Sequence, residues 1–324
     1  MSARVRLRRA EPAALATAAC DGDLRAVARL LSLVEDGDPK QLRAASEALA
    51  PAAGHATLIG LTGAPGVGKS TLCDALIAEL RRAGRTVGVL AVDPSSPFTG
   101  GALLGDRIRM QRHATDAGVF IRSMASRGHL GGLAWATPQA VRVLDAAGFE
   151  VVIVETVGVG QAEVEVAGLA DTTVVALAPG LGDAIQIAKA GILEIADVFV
   201  VNKADRDGAR QLARDLRQML HLGEATAWQV PVVLTAAVKG EGVGDLVAAI
   251  EQHGRHLAES GEGARRRRLR AAREIEALAL ATFRQDLVAA AGGLLDDLAE
   301  RVADGGIGPH AAADKLAGEL RRRA

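Results

Sequence analysis

Gly63-Ala64-Pro65-Gly66-Val67-Gly68-Lys69-Ser70-Thr71 satisfies the pattern G-x-x-x-x-G-K-[ST] in full. The apolar run 56–61 upstream predicts a buried strand, and 72–82 downstream predicts a helix. A strand, a glycine-rich turn and a helix are the context this pattern needs. Glycines let backbone N–H groups converge on phosphate oxygens, and the N-terminus of the following helix adds its partial positive charge to the same anion. Lys69 is then placed to reach the β- and γ-phosphates and Ser70 to ligate magnesium. The fold class that follows is α/β, a P-loop NTPase with a mainly parallel sheet flanked by helices.

Asn202-Lys203-Ala204-Asp205 follows the apolar run 198–201 and reads as N-K-x-D at a strand end. An aspartate carboxylate accepts from both N1–H and the 2-amino group of guanine, whereas adenine offers an acceptor at N1 and no 2-amino donor. The tetrapeptide also fits an ordinary turn in which Asp205 caps a helix. Its place downstream of a P-loop, on its own strand end, favours guanine, hence GTP and GDP as ligands. A weaker candidate for backbone contact with the base is Thr235-Ala236-Ala237-Val238, after the apolar run 230–234.

Between these segments, Val151-Val152-Ile153-Val154-Glu155-Thr156 is a further apolar strand ending in an acid, followed by Val157-Gly158-Val159-Gly160-Gln161. Glu155 is placed to hold magnesium directly or through water, and the Gly158 N–H to sense the γ-phosphate. Gln161 is a candidate to orient the attacking water or a plain loop residue, and the sequence does not separate the two. The run 93–101 follows the apolar strand 86–92, is rich in Pro, Ser, Thr and Gly, and continues to Asp106, Arg107 and Arg109. It reads as a long loop. Asp93 and Asp106 flank it, which suits either a metal-responsive segment or a simple connection.

GAPGVGKST, VDPSSPFTGGALLGDRIRM, SRGHLGGL, ETVGVGQAE and LGDAIQIAKAGILEIADVFVVNKAD together resemble the methylmalonyl-CoA mutase-associated GTPases, the MeaB/ArgK family, from about residue 20 to the C-terminus. The resemblance implies a GTP-hydrolysing chaperone that couples nucleotide state to cofactor loading and protection of an adenosylcobalamin-dependent acyl-CoA mutase. It implies that Gly63 to Thr71 bind phosphates and that Ser70, Asp93, Asp106 and Glu155 build the Mg2+ environment. Asn202, Lys203 and Asp205 would read guanine, and an additional switch would lie at 179–189 with Asp183 and Lys189 as its charged members. Two departures stand out: Ala162 where a serine is common after the glutamine, and Ala236 where a serine is common in the base loop.

The chain has 324 residues, 49% of them hydrophobic but only 2% aromatic, so its core must be packed mainly by Ala, Val, Leu and Ile. Lys and Arg (38) nearly balance Asp and Glu (39), which removes any general electrostatic case for nucleic acid or an anionic membrane. Cys20 and Cys73 are far apart, which suits a reducing cytoplasm better than a disulfide framework. No apolar run approaches the roughly 20 residues that span a bilayer. Arg4, Arg6, Arg8 and Arg9 are expected to form a short basic solvated tail rather than a transit segment.

Leu24, Val27, Leu30, Leu31 and Val34 repeat at helix spacing behind Asp23 as an N-cap, and Pro39 restarts a helix at its first position. The expected organisation is a helical segment at 1–53, a nucleotide domain at 54–254 and a C-terminal helical arm at 255–324. Ile275, Leu278, Phe283 and Leu287 give the arm one apolar face, and Leu294, Leu295, Leu298 and Val302 a second. Such faces need covering, so a homodimer through the arm is expected, as the resemblance also implies. Two other functions share part of this machinery: a kinase-like component of amino-acid transport, and a metal-insertion GTPase. The first lacks a kinase catalytic-loop signature. The second usually needs a Cys/His cluster, and the seven histidines here are scattered.

Overall fold

The computed structural model describes residues 11–36, 39–94, 111–113, 115–126, 136–156, 162–181, 192–222 and 227–323. The chain divides into two compact units, 1–266 and 267–324.

The first unit opens with three helices, α1 (Pro12–Cys20), α2 (Leu24–Asp36) and α3 (Pro39–Leu49). Asp23 caps α2 as its sequence predicts, its Oδ1 accepting from Arg25 N at 2.8 Å. Strands and helices then alternate: β1 (Thr57–Thr62), α4 (Lys69–Arg82), β2 (Val87–Pro94), β3 (Val119–Ser126), α5 (Ala136–Ala146), β4 (Val151–Thr156), α6 (Ala162–Leu169), β5 (Thr172–Leu177), α7 (Ile192–Ile195), β6 (Val198–Val201), α8 (Ala209–Leu222), β7 (Val232–Leu234) and α9 (Val243–Glu259). The seven strands form one sheet in the order β3-β2-β4-β1-β5-β6-β7, and each neighbouring pair runs parallel. Parallel sheets bury both faces, which explains the near-continuous Val and Ile runs of β4 to β6.

Side chains alternate across the pleat, so successive residues of one strand enter different cores. Leu58, Leu90, Val152 and Val154 pack with α1, α2, α3 and α5 on one face. Ile59, Leu61, Val89, Ile153, Val174 and Val200 pack with α4 and α9 on the other. Val175, Phe199 and Val201 meet α8. The small aromatic content is compensated by close approach: a Cβ on Gly60 in β1 would lie 2.9 Å from Val166 Cγ2 and 3.0 Å from Ala170 Cβ. The segment that leads into β1 is bound to α5 by polar contacts as well. Asp145, at the end of α5, accepts from His55 N at 3.1 Å, from Ala56 N at 2.8 Å and from Gly54 N, just ahead of β1.

At the N-terminal ends of β5 and β6 the buried Asp197 carboxylate accepts from Thr173 N at 2.8 Å and from both terminal nitrogens of Arg266, at 3.0 and 3.1 Å. Arg266 belongs to the first turns of α10 (Glu262–Ala291). His253 of α9 sits beside this pair, its Nε2 3.3 Å from Asp197 Oδ1 and its Nδ1 2.8 Å from the Thr172 hydroxyl. Trp228 closes the cluster, donating its indole N–H to Asp197 O at 2.8 Å and placing its ring 4.9 Å from that of His253.

The second unit comprises the remainder of α10 with α11 (Leu294–Ala303) and α12 (Pro309–Arg323). The last of these starts on Pro309, which needs no N–H at a first helical position. Helix α11 stops where Gly305 takes φ 73° and Gly306 N returns to Arg301 O at 2.8 Å. Leu298 is buried, but Ile275 (68% exposed), Leu280 (62%) and Phe283 (68%) stand in solvent on α10. Cys20 is exposed and Cys73 buried, and neither is in a disulfide. Among the described residues no helix is long and apolar enough to cross a membrane.

Candidate functional site

The site residues collect at the C-terminal ends of β1, β4, β6 and β7, where parallel sheets of this kind bind ligands. After β1 the chain turns through Gly63 at φ 138°, where a Cβ would stand 2.1 Å from Ala176 O of β5. Gly68, at φ 92°, is the N-cap of α4, and a Cβ there would stand 2.8 Å from Asn202 Nδ2. Only glycine fits these two points without displacing backbone or a buried amide. Helix α4 begins at Lys69, three residues earlier than the apolar pattern from 72 predicts, and its N-cap, Gly68, has no side chain to cap it. Its first N–H groups and the helix dipole face the turn, which is the arrangement that attracts an anion.

Lys69 is buried, and its ammonium donates to Gly63 O at 2.6 Å and Ala64 O at 3.1 Å, inside the turn it is expected to serve. Beside it the Ser70 hydroxyl donates to Glu155 Oε1 at 2.9 Å, both residues being buried. Next to Glu155 on β4, the Thr156 hydroxyl donates to that of Thr62 at 2.9 Å, so the ends of β1 and β4 are cross-linked just below the turn. Ala91 of β2 pairs in register with Glu155, and Asp93 lies two residues further along that strand. The Ser70 hydroxyl and the Glu155 carboxylate are hard oxygen donors of the kind that suits Mg2+.

Asn202, at the end of β6, is buried and bonded on three sides. Its amide nitrogen donates to Val67 O at 3.0 Å, and its oxygen accepts from the Thr235 hydroxyl and from Ala237 N, each at 3.2 Å. One side chain thus ties the phosphate turn to the loop after β7. Lys203 adopts φ 57°, a left-handed conformation that costs a non-glycine residue about 1 kcal/mol or more. Its ammonium donates to Gly66 O at 2.6 Å. Asp205 is half-exposed and meets Lys239 Nζ at 3.2 Å. The hydrogen bond from Lys239 holds the Asp205 carboxyl below its ordinary pKa, aided by the nearby Arg206 charge. Ala236 and Ala237 are buried, whereas Val238 is 88% exposed.

Of the residues that the sequence nominates, Gly63 to Thr71, Glu155, Asn202, Lys203, Asp205 and Ala236 to Val238 are brought together at this end of the sheet. Asp106, Gly158, Gln161, Asp183 and Lys189 lie outside the described residues, and of Asp93 only the backbone is described. Thr62, Thr156 and Lys239 join the site without having been nominated, whereas Thr235, named for its backbone, enters through its hydroxyl. Thr62 and Thr156 end apolar strands, which was their available signal; Lys239 had none.

A protein-family model described as "Methylmalonyl Co-A mutase-associated GTPase MeaB" matches residues 27–291. A protein of Pyrococcus horikoshii named as a GTPase is 50% identical over 297 residues, covering 90% of this chain and 93% of its own. The GTPase ArgK of Escherichia coli is 39% identical over 248 residues, covering 74% of this chain and 75% of its own. Among solved structures, one described as a LAO/AO transport system kinase superposes with a TM-score of 0.67 at 26% identity, covering 97% of this chain and 98% of the other.

Proposed function

We propose that this chain, a GTPase that belongs to the methylmalonyl-CoA mutase-associated GTPase (MeaB) family, uses its nucleotide state to chaperone an adenosylcobalamin-dependent acyl-CoA mutase during cofactor loading and protection. The observation that carries the switch is the buried Ser70–Glu155 contact. It joins the first turn of α4 to the end of β4, so a change at the γ-phosphate or metal is felt where the chain leaves the sheet toward Gly158 and Gln161. The mutase itself is inferred from the family description.

In this reading the amides of 63–71 and the N-terminus of α4 bind the phosphates. Lys69 exchanges its two carbonyl partners for phosphate oxygens and offsets the charge that develops as water attacks in line. Mg2+, when bound, would supply Lewis-acid neutralisation of the charge on the phosphates. Ser70 and Glu155, with Asp93 and Asp106, are the residues that would hold it. Asp205 reads the base, and Asn202 acts by position, keeping the base loop and the phosphate turn in one register. Gly158 senses the γ-phosphate, Gln161 orients water, and Asp183 and Lys189 report the nucleotide state to the partner. No arginine is supplied to the phosphates by motif, so turnover of the isolated chain is slow and the partner accelerates it.

The test is a pull-down and phosphate-release assay with an acyl-CoA mutase in the GDP and GTP-analogue states. Binding with faster turnover supports the reading, and absence of binding in every nucleotide state overturns it. The exposed Ile275, Leu280 and Phe283 support a homodimer built through the arm. A single-chain mass by sedimentation at micromolar concentration would refute that. A kinase-like role, as in the description of the solved structure that superposes, predicts label transferred from nucleotide to protein rather than released as phosphate.

A further inference from the structure

We propose that Lys239 is a specificity-determining residue for guanine: its ammonium orients the Asp205 carboxylate toward the base, a task for which Ala236 has no side-chain donor. The proposal rests on the reading of Asp205 as the residue that contacts guanine.

The loop after β7 offers few side-chain donors that could reach that carboxylate. Ala236, Ala237 and Val238 have apolar side chains. Thr235 has one hydroxyl proton, and it is donated to Asn202 Oδ1 at 3.2 Å. Lys239 remains, and its Nζ lies 3.2 Å from Asp205 Oδ2. From the other motif residues, Asn202 donates to Val67 O and Lys203 to Gly66 O, so the lysine and asparagine of N-K-x-D serve the phosphate turn rather than their own aspartate.

A long side chain orients a partner only if its root is fixed, and here it is. Lys239 ends a 3-10 turn, Ala237–Lys239, in which its own N–H donates to Ala236 O at 2.8 Å. Gly240 follows at φ 71°, and Ala236 N donates to Glu241 O at 3.0 Å, closing the loop from both ends. On the other side Ala204 N donates to Thr235 O at 2.9 Å and Arg206 N to Lys203 O at 2.9 Å, which pins the backbone on either side of Asp205. The pair therefore spans two loops whose separation is set by backbone bonds.

A carboxylate offers about four lone-pair positions. With one on Oδ2 taken by Lys239, each oxygen keeps at least one for the N1–H and 2-amino donors of guanine, and rotation of the carboxylate is restricted before the base arrives. The same contact keeps Asp205 ionised, hence purely an acceptor, to lower pH; Lys239 faces it from across the loop and Arg206 from its own segment.

Competition binding of GDP, inosine diphosphate and xanthosine diphosphate tests this with the full chain and three variants: Lys239→Met, Lys239→Arg and Asp205→Asn. Inosine lacks the 2-amino group, so the GDP-to-IDP affinity ratio isolates the contact that Asp205 orientation controls. Lys239→Met should lower that ratio by roughly three- to fivefold, the scale of an exposed ion pair, and Lys239→Arg should restore it. The acid limb of GDP binding should move to higher pH in Lys239→Met. Asp205→Asn should turn preference toward xanthosine, whose C2 carbonyl accepts from the new amide. If Asp205→Asn turns the preference but Lys239→Met leaves the ratio unchanged, or weakens GDP and IDP alike, Lys239 has no part in specificity while Asp205 keeps its role. If Asp205→Asn does not turn the preference, Asp205 is not the base reader and both statements fall.

Discussion

The two ends of the sheet in the first unit bury polar groups in different ways. At the N-terminal ends of β5 and β6, the Asp197 carboxylate is surrounded by protein donors, from Thr173 N and Arg266, with His253 beside it. At the C-terminal ends of β1, β4 and β6, donors and acceptors converge on turns that take positive φ at Gly63 and Gly68, where only glycine does so freely, and at Lys203, where it costs energy. The first end is a closed knot that joins elements. The second starts α4 from a glycine N-cap, which brings no capping side chain of its own to a helix N-terminus that suits an anion. Buried charge alone therefore does not mark the site; its combination with glycine-dependent turns and that helix N-terminus does.

The largest test of this contrast is Lys69→Ala, which should lower phosphate release about a hundred- to a thousandfold, as loss of one preorganised charge at a transition state does, while leaving the fold intact by circular dichroism. Near-normal turnover would mean that the convergent end holds no catalytic charge at that position. Next in size, Asp197→Ala removes one partner of a buried ion pair and should reduce stability in urea by about 3 kcal/mol. Its GDP affinity should stay within about twofold, because distant sites behave independently. A large loss of affinity would show that the two ends are coupled.

Asn202→Ala should cost about 2 kcal/mol, since it leaves Val67 O and Ala237 N without their partner in a buried place, and here affinity should fall together with stability. A stability loss with unchanged affinity would demote Asn202 to a packing role. The smallest effect is in pH. Burial lowers the pKa of His253 from 6.5, with Arg266 and His256 acting in the same direction; Asp197 and Asp171 oppose this, but Asp197 is already paired with Arg266. The folded state then binds fewer protons than the unfolded chain, so this contribution is complete above pH 6.5 and is lost as pH falls from there toward the lowered folded value. His253→Gln should flatten the stability profile below pH 6.5 relative to the parent, and an identical profile would assign the acid sensitivity elsewhere.

Much of the nucleotide end is legible in the chain because its signals are local. The phosphate turn, the strand before it and the N-K-x-D tetrapeptide are contiguous, and each carries its own backbone requirement. Boundaries were less legible. The apolar run 230–234 overstates β7, which begins at Val232; before it Pro231 contributes only its carbonyl, to Phe199 N at 2.9 Å. β2 runs on to Pro94, past the apolar run that ends at 92, because β3 continues beside it with Pro94 opposite Ser126. β3 is an edge strand with Arg122 and Ser123 inside it, so no continuous apolar run announces it.

What the sequence determined by itself is local: a P-loop turn, an N-K-x-D tetrapeptide and an acid at a strand end, each encoded within a few residues by φ requirements and hydrophobic period. What only the tertiary structure decided is which distant side chains meet. Ser70 touches Glu155 because β1 lies between β4 and β5, and Asn202 reaches both Val67 and Thr235 because β6 lies between β5 and β7. Lys239 finds Asp205 because two loops are pinned by backbone bonds. Such pairings follow from strand order and loop closure, which no local pattern of residue types records.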